Sequence, residues 1–299
     1  MDCEKVTRNI RKGLRDYIVE NKIKSLVIGV SGGADSACVC ALARPVCDEL
    51  SIPLIGRSIP IESNKPEEIE RARLIGISFC HELSETDYTA LYQCMVDFFE
   101  GPEGTLDAVA RGNIKARIRM QYLYTIAGKR KGLVLSTDNL TEYYLGFFTL
   151  CGDVGDYAMI QHLWKTEVYM LMSYLAEKEQ NFDCRKGLSQ CKMAVPTDGL
   201  GISESDLDQI KARSYDEVEI ILKTWLTEDS DAYHWDDWLK WDINKMEHMY
   251  YEYERPEDYD EFVKFREQFK DHPVVQRYER THFKRRWPIV FKRDKIFSD

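Results

Sequence analysis

The chain has 299 residues, 31% of them charged and 44% hydrophobic, with a net charge of −10 and a pI near 5.3. That length holds one large domain or two small ones, and the composition is that of an ordinary globular protein in water. The acidic balance counts against nucleic acid as the main partner. There is no amino-terminal apolar core of a signal peptide and no apolar run approaching about 18 residues, so no membrane span is expected and the cytoplasm is the expected compartment.

Strands and helices alternate through the first two thirds. Ser25–Val30 predicts a strand, and Ser36 to about Ala43 a helix that Pro45 is expected to end or kink. Pro53–Pro60 predicts the next strand, Pro66–Leu74 a charged amphipathic helix and Ile77–Cys80 a short strand. Thr86–Phe99 predicts a helix with Leu91, Met95 and Phe98 on one face, followed by a loop at Gly101–Gly104. Asn113–Ala127 predicts a long helix, with Ile114, Ile118, Tyr122 and Ile126 at fourfold spacing. Leu133–Thr137 predicts a strand and Thr166–Glu177 a helix. This order implies an α/β fold: a doubly wound parallel sheet covered by helices on both faces, with an additional carboxy-terminal helical or irregular segment.

The stretch with the clearest chemistry is Leu26 to Ser36, an apolar run that ends in Ser31-Gly32-Gly33-Ala34-Asp35-Ser36. The two glycines let the backbone approach an anion, the serines add hydroxyl donors, and the amides at the start of the next helix point at the ligand. Asp35 fits a phosphate site only if a divalent cation lies between the two negative groups. The bland alternative is a surface turn with Asp35 in a capping role. The spacing lacks the G-x-x-x-x-G-K-[ST] lysine and the G-x-G-x-x-G pattern, which excludes two commoner glycine-rich loops. S-G-G-x-D-S after a strand resembles the pyrophosphate loop of the ATP pyrophosphatases, which cleave ATP between the α- and β-phosphates and adenylate a substrate oxygen.

A second segment, Ser136-Thr137-Asp138-Asn139-Leu140-Thr141-Glu142, also follows a strand. Thr137 is suited to a base or ribose, and Glu142 to joining Asp35 as a second carboxylate on magnesium. Equally, Asp138 or Thr141 caps a helix with Glu142 in its first turn. Nine cysteines fall at irregular spacings without a zinc pattern, so reduced and mostly buried thiols are expected. Cys38 and Cys40 fall in the helix after the loop, Cys184 and Cys191 in an expected loop. Residues 227–262 carry 13 acidic against 3 basic residues and nine aromatics. Within them Trp235, Trp238 and Trp241 recur at helical spacing, as a core or dimer-contact stripe does. The last 18 residues reverse the charge with Lys284, Arg285, Arg286, Lys292, Arg293 and Lys295, either a solvated tail or a reach toward an anionic ligand.

Four segments in order make the chain resemble the ammonia-dependent NAD synthetases. They are Ile28 to Ser36, Arg111 to Met120, Leu133 to Asp153, and Leu163 to Val168, with Pro196-Thr197 and Lys284-Arg285-Arg286 downstream. The resemblance covers about residues 8–200 and 281–291. It implies ATP-dependent amidation of nicotinate adenine dinucleotide (deamido-NAD) with ammonia through an acyl-adenylate, giving NAD, AMP and pyrophosphate, with Mg2+ as cofactor. Carried over by position, Ser31, Gly32, Gly33, Asp35, Ser36, Thr137, Lys165 and Thr197 hold ATP, and Asp35 and Glu142 hold the metal. Lys165 offsets charge on the phosphates, or is a solvated lysine opening a helix. Arg117, Asp156, Phe283 and Lys284 match the deamido-NAD side, where Arg117 is alternatively a surface ion-pair residue. A homodimer is implied as well.

Residues 1–226 are then expected to form the synthetase domain, 227–280 a helical insertion and 281–299 a basic segment closing on the site. The synthetase-like region begins almost at Met1, so ammonia rather than a built-in glutaminase is the expected nitrogen source. Three departures from the family pattern fall on the dinucleotide side. Leu150 replaces the lysine of G-F-F-T-K, Asp156 aligns only across a one-residue gap, and Phe283 takes a histidine position with His282 one earlier. The competing readings are a related ATP pyrophosphatase ligase acting on another carboxylate and a nucleotide-binding homologue with reduced turnover.

Overall fold

Leu26, Val27 and Ile28 are all fully buried, which a strand achieves only when both faces of its sheet are covered. The computed structural model describes residues 1–62, 64–197, 205–226 and 259–286. The chain divides into two compact units, residues 1–140 with 148–206, and residues 141–147 with those from 207 onward.

The first unit holds a five-stranded parallel sheet in the order β3-β2-β1-β4-β5, formed by β1 (Leu26–Gly29), β2 (Leu54–Ser58), β3 (Glu82–Glu85), β4 (Leu133–Ser136) and β5 (Tyr157–Ala158). Leu26 pairs with both Leu54 and Leu133, so β1 lies at the centre. Alternation along the strands sorts the core. Leu26, Ile28, Leu54 and Leu135 pack with α2 (Ala34–Leu50), α7 (Lys165–Lys178) and α8 (Phe182–Met193). Val27, Ile55 and Val134 pack on the other face with Met120, Leu123 and Ala127 of α5 (Ala108–Arg130). The doubly wound α/β expectation holds.

Four local expectations are corrected. Ile77–Cys80 is not a strand: α3 (Pro66–Phe79) runs through it because Ala72, Ile75, Gly76 and Phe79 form one buried helical stripe. The strand comes later, at Glu82–Glu85, an edge whose carboxylates meet Arg130 and Arg73, charges that keep a sheet edge from pairing further. In α4 (Thr89–Glu103) the core face is Tyr92 and Val96, packed on Ile114 and Ile118, while Leu91 and Phe98 are 46% and 73% exposed. Both stripes are apolar, and only the position of α5 decides between them. The expected loop at Gly101–Gly104 is mostly the last turn of α4, closed by Gly104 at φ +88°. Cys184 and Cys191 lie buried in α8 rather than in a loop. All nine cysteines are free, and burial pushes the Cys47 and Cys191 thiols up to about 12.

Pro45 also departs from expectation, since α2 continues through it to Leu50. A proline inside a helix lacks the amide that would bond the carbonyl four residues earlier. Arg11 of α1 (Cys3–Asn21) supplies the missing donor, Nη2 to Ala41 O at 3.1 Å, and adds a bond from Nε to the neighbouring Leu42 O at 3.3 Å. Burial there pulls the Arg11 pKa down.

The second unit contains residues 141–145 of α6 (Leu140–Leu145), α10 (Tyr215–Leu226), α11 (Tyr259–Glu267), α12 (Pro273–Arg280) and a 3-10 turn at His282–Arg286. The short α9 (Asp206–Ile210) opens its main run. Most of residues 227–262, with Trp235, Trp238 and Trp241, and Lys292, Arg293 and Lys295 lie outside the described residues. No helix among the described residues is long and apolar enough to cross a membrane.

Because Arg11 replaces a proline-deleted donor, Arg11→Met is expected to lower the unfolding free energy by about 1–3 kcal/mol. In a Pro45→Ala background the loss should shrink, since the alanine amide reaches the Ala41 carbonyl. Urea unfolding of the four proteins measures this, and equal losses in both backgrounds would refute it.

Candidate active site

The loop after β1 is shaped by its glycines and serines. Gly32 sits at φ +78°, and a Cβ there would run into the Glu68 carbonyl and the Ala72 amide of α3. Alanine would meet both a backbone penalty and a steric one. The Ser31 and Ser36 hydroxyls lie 3.0 Å apart, the Ser31 amide donates to Ser36 Oγ, the Gly33 amide donates to Ser31 Oγ and Ser36 Oγ donates to the Gly33 carbonyl. The loop is therefore cross-braced, with α2 starting immediately after it at Ala34.

Asp35, in the first turn of α2, meets two groups from distant parts of the chain. Lys165 Nζ, at the first position of α7, pairs with one carboxylate oxygen, and Asn139 Nδ2 donates to the other at 2.9 Å. Lys165 is 4% exposed, so it is not a solvated lysine. Its charge is tolerable inside because it is paired. Asn139 was not singled out from sequence, although the segment that carries it follows β4 and was. Thr137, in the same segment, is half-buried.

Asp138 is buried beside this cluster and accepts a hydrogen bond from Ser136 Oγ at 2.7 Å. Burial above all, with Asp153 and Asp35 nearby, pushes its carboxyl up to about 7 against the Ser136 bond. Its carboxylate serves Ser136, and of the two residues that could cap a helix here, Asp138 or Thr141, the first is thus engaged. Thr197 Oγ1 donates to Glu68 Oε1 at 3.1 Å.

Arg117 is exposed on α5, and its Nε donates to the Leu150 carbonyl at 3.3 Å rather than to a carboxylate. Asp156 is tied to β4: its carboxylate accepts from the Val134 amide at 2.9 Å and its own amide donates to the Val134 carbonyl. Thr149 of the G-F-F-T segment donates through Oγ1 to Asn113 Oδ1 and through its amide to the Asp153 carboxylate. The first unit thus brings together Asp35, Lys165 and the phosphate-loop serines, while Arg117 and Asp156 hold neighbouring backbone.

Glu142, Phe283 and Lys284 belong to the second unit. Glu142 is half-buried in the first turn of α6. The carbonyls that end α6 are each met by a cation: Tyr144 O by Arg285 Nη1 at 2.6 Å, Leu145 O by Arg277 Nε at 2.9 Å, and Gly146 O by Lys284 Nζ at 2.8 Å. Cations at a helix carboxyl end satisfy orphan carbonyls and the dipole together. Thr141 Oγ1 donates to the fully buried Glu219 at 3.0 Å. Phe283 is 46% exposed.

A family model described as NAD synthase matches residues 6–288. The NH(3)-dependent NAD(+) synthetase of Methanocaldococcus jannaschii is 29% identical over 226 residues, 74% of this chain and 80% of that one. An NMN synthetase structure from Francisella tularensis has a TM-score of 0.70 at 21% identity, covering 98% of this chain and 99% of that one. The NH3-dependent NAD synthetase of Campylobacter jejuni has a TM-score of 0.64 at 22% identity, covering 98% and 100%. At these identities the two structures speak for the fold.

Asp138 yields a pH test. The folded chain holds that proton more tightly than the unfolded chain, so its contribution to stability is present at low pH and is lost as pH rises from about 4 to about 7. Asp138→Asn should remove that limb, on the order of a few kcal/mol, in urea unfolding without divalent cation. A variant with the pH slope of the parent would refute it.

Proposed function

The chain belongs to the NAD synthase family, and we propose that it catalyses ATP-dependent amidation of deamido-NAD with ammonia, giving NAD, AMP and pyrophosphate. It is a ligase that forms a carbon–nitrogen bond. The observation that carries this reading is the cluster of Asp35, Lys165 and Asn139 beside a braced glycine loop that follows the central strand.

A carboxylate is a poor acyl donor until its oxygen becomes part of a good leaving group. In the reaction, the nicotinate oxygen attacks the α-phosphorus and the bond to pyrophosphate breaks. Ammonia then attacks the acyl carbon, the bond to AMP breaks and a proton is released. The protein's task is placement and charge neutralisation. We assign Ser31, Gly32, Gly33, Ser36, Thr137 and Thr197 to ATP and Lys165 to its phosphates, whose arrival gives the ammonium a second anion besides Asp35.

Mg2+ fits the oxygen donors of this cluster, since Asp35 and Ser36 offer a hard carboxylate and a hydroxyl near the loop. We assign Asp35 and Glu142 as its ligands. When bound, the cation would neutralise phosphate charge. Arg117, Asp156, Phe283 and Lys284 are assigned to deamido-NAD, with the basic segment 281–299 closing on the site. Nine free cysteines support a reducing compartment, the cytoplasm. A homodimer finds support in the outer face of α4 and α5, an apolar groove lined by Tyr88, Leu91, Met95, Ile118 and Tyr122.

With ATP, Mg2+, deamido-NAD and ammonium, the protein should form NAD, AMP and pyrophosphate in equal amounts, as a particle of two chains by light scattering. Asp35→Asn should cut pyrophosphate release by about a hundredfold or more. Near-normal release would overturn the metal assignment, and a parent chain that releases neither pyrophosphate nor NAD with deamido-NAD would favour another carboxylate substrate.

Leu150 stands where the family pattern has a cation, next to the point where Arg117 meets the backbone. Leu150→Lys is expected to lower the KM for deamido-NAD by roughly three- to tenfold without moving the KM for ATP. An unchanged KM would mean that another group already supplies that charge.

A further inference from the structure

Arg71, on α3, puts a guanidinium at the phosphate loop that no motif names. Its Nε donates to the Gly32 carbonyl at 3.0 Å. The contact is close, since a Cβ on Gly32 would approach Arg71 Cβ as well as the α3 backbone. With Gly32 at φ +78°, that carbonyl is turned toward α3 and fixed there.

A guanidinium is planar, and its five N–H groups form a rigid fork. Fixing Nε on the loop therefore keeps the two terminal amino groups beside the loop. Among the described residues those amino groups have no hydrogen-bond or ion partner, and the side chain is half-buried. Lys165, which meets Asp35 of the same loop, is already paired with it. A bound triphosphate brings several negative charges to the loop, and cleavage between the α- and β-phosphates adds charge to the departing pyrophosphate. A fork that grips two phosphate oxygens meets that demand better than a point charge.

We propose that Arg71 is a phosphate-binding residue whose terminal amino groups hold the pyrophosphate portion of ATP, and pyrophosphate as it leaves, from the α3 side of the loop. The inference rests on the ATP-pyrophosphatase reading of the loop. A purely structural role would need only the Nε bond to Gly32 and would act on every ligand that uses the loop.

The test is direct calorimetric binding of inorganic pyrophosphate and, separately, AMP, each with Mg2+. It uses the full chain, Arg71→Gln and Arg71→Lys, with the melting temperature of each recorded. Arg71→Gln should weaken pyrophosphate binding by about ten- to a hundredfold and leave AMP within about twofold. Arg71→Lys, which keeps the charge and loses the fork, should recover part of the loss. Parental binding of pyrophosphate by Arg71→Gln, or equal losses for pyrophosphate and AMP, would overturn the role of Arg71 and leave the reading of the loop standing. A parent chain that binds neither ligand would overturn that reading, and this inference with it.

Discussion

The pairing of Lys165 with Asp35 is the constraint to which the first unit is built. The two residues are 130 positions apart, and Lys165 is almost fully buried. An ammonium left unpaired at that depth would cost several kcal/mol. The chain therefore has to bring the turn after β1 and the start of α7 to one place, and the turn after β4 joins them through Asn139. A parallel sheet with β1 and β4 adjacent does this, because both turns then leave the carboxyl end of the sheet's strands. The flanking core, Leu26, Ile28 and Leu135 against α2 and α7, fixes the distance between the helices that carry the two charges.

How far the sequence disclosed this site depended on the range of each interaction. The phosphate loop was legible because its chemistry is local: Gly32 needs a positive φ, and the serines at either end brace a six-residue turn. The alternating order of strands and helices was legible for the same reason. What failed were choices between two apolar faces. Leu91 and Phe98 follow helical spacing as well as Tyr92 and Val96 do, and only packing on α5 selects the second pair, with Met95 partly buried against it. The stretch Ile77–Cys80 is β-prone in isolation, yet the stripe from Ala72 to Phe79 keeps it helical. Pro45 signals a helix end or kink within its own segment, because the donor that compensates for it, Arg11, lies in another helix.

The basic tail shows the same limit from the other side. Its charge left a solvated tail and an anion-binding segment equally open. Within the second unit, Lys284 and Arg285 with Arg277 instead donate to the carbonyls that close α6, the helix that carries Glu142. A hydrogen bond to a carbonyl leaves a cation its full charge, so capping a helix and drawing an anion are not opposed in one side chain. Arg277 also stacks on Phe147 at 3.7 Å and Arg285 on Tyr278 at 4.1 Å, which holds the guanidinium planes without cancelling their charge.

That economy recurs on the first unit and bears on why a chain of net charge −10 can present a cradle for an anion. Net charge acts over a distance and is screened within about 10 Å at ordinary ionic strength, whereas a site is governed by the few groups inside that range. At the loop, Arg71 is held by a carbonyl rather than a carboxylate, so its positive charge is oriented without being cancelled. Arg117 is held in the same way by the Leu150 carbonyl. Lys165 is the contrasting case, neutralised by Asp35. A guanidinium anchored on a carbonyl keeps its charge, while the carboxylate-paired lysine leaves the buried interior neutral. The division suits a site that must be stable before its charged ligand arrives and attractive to it when it does.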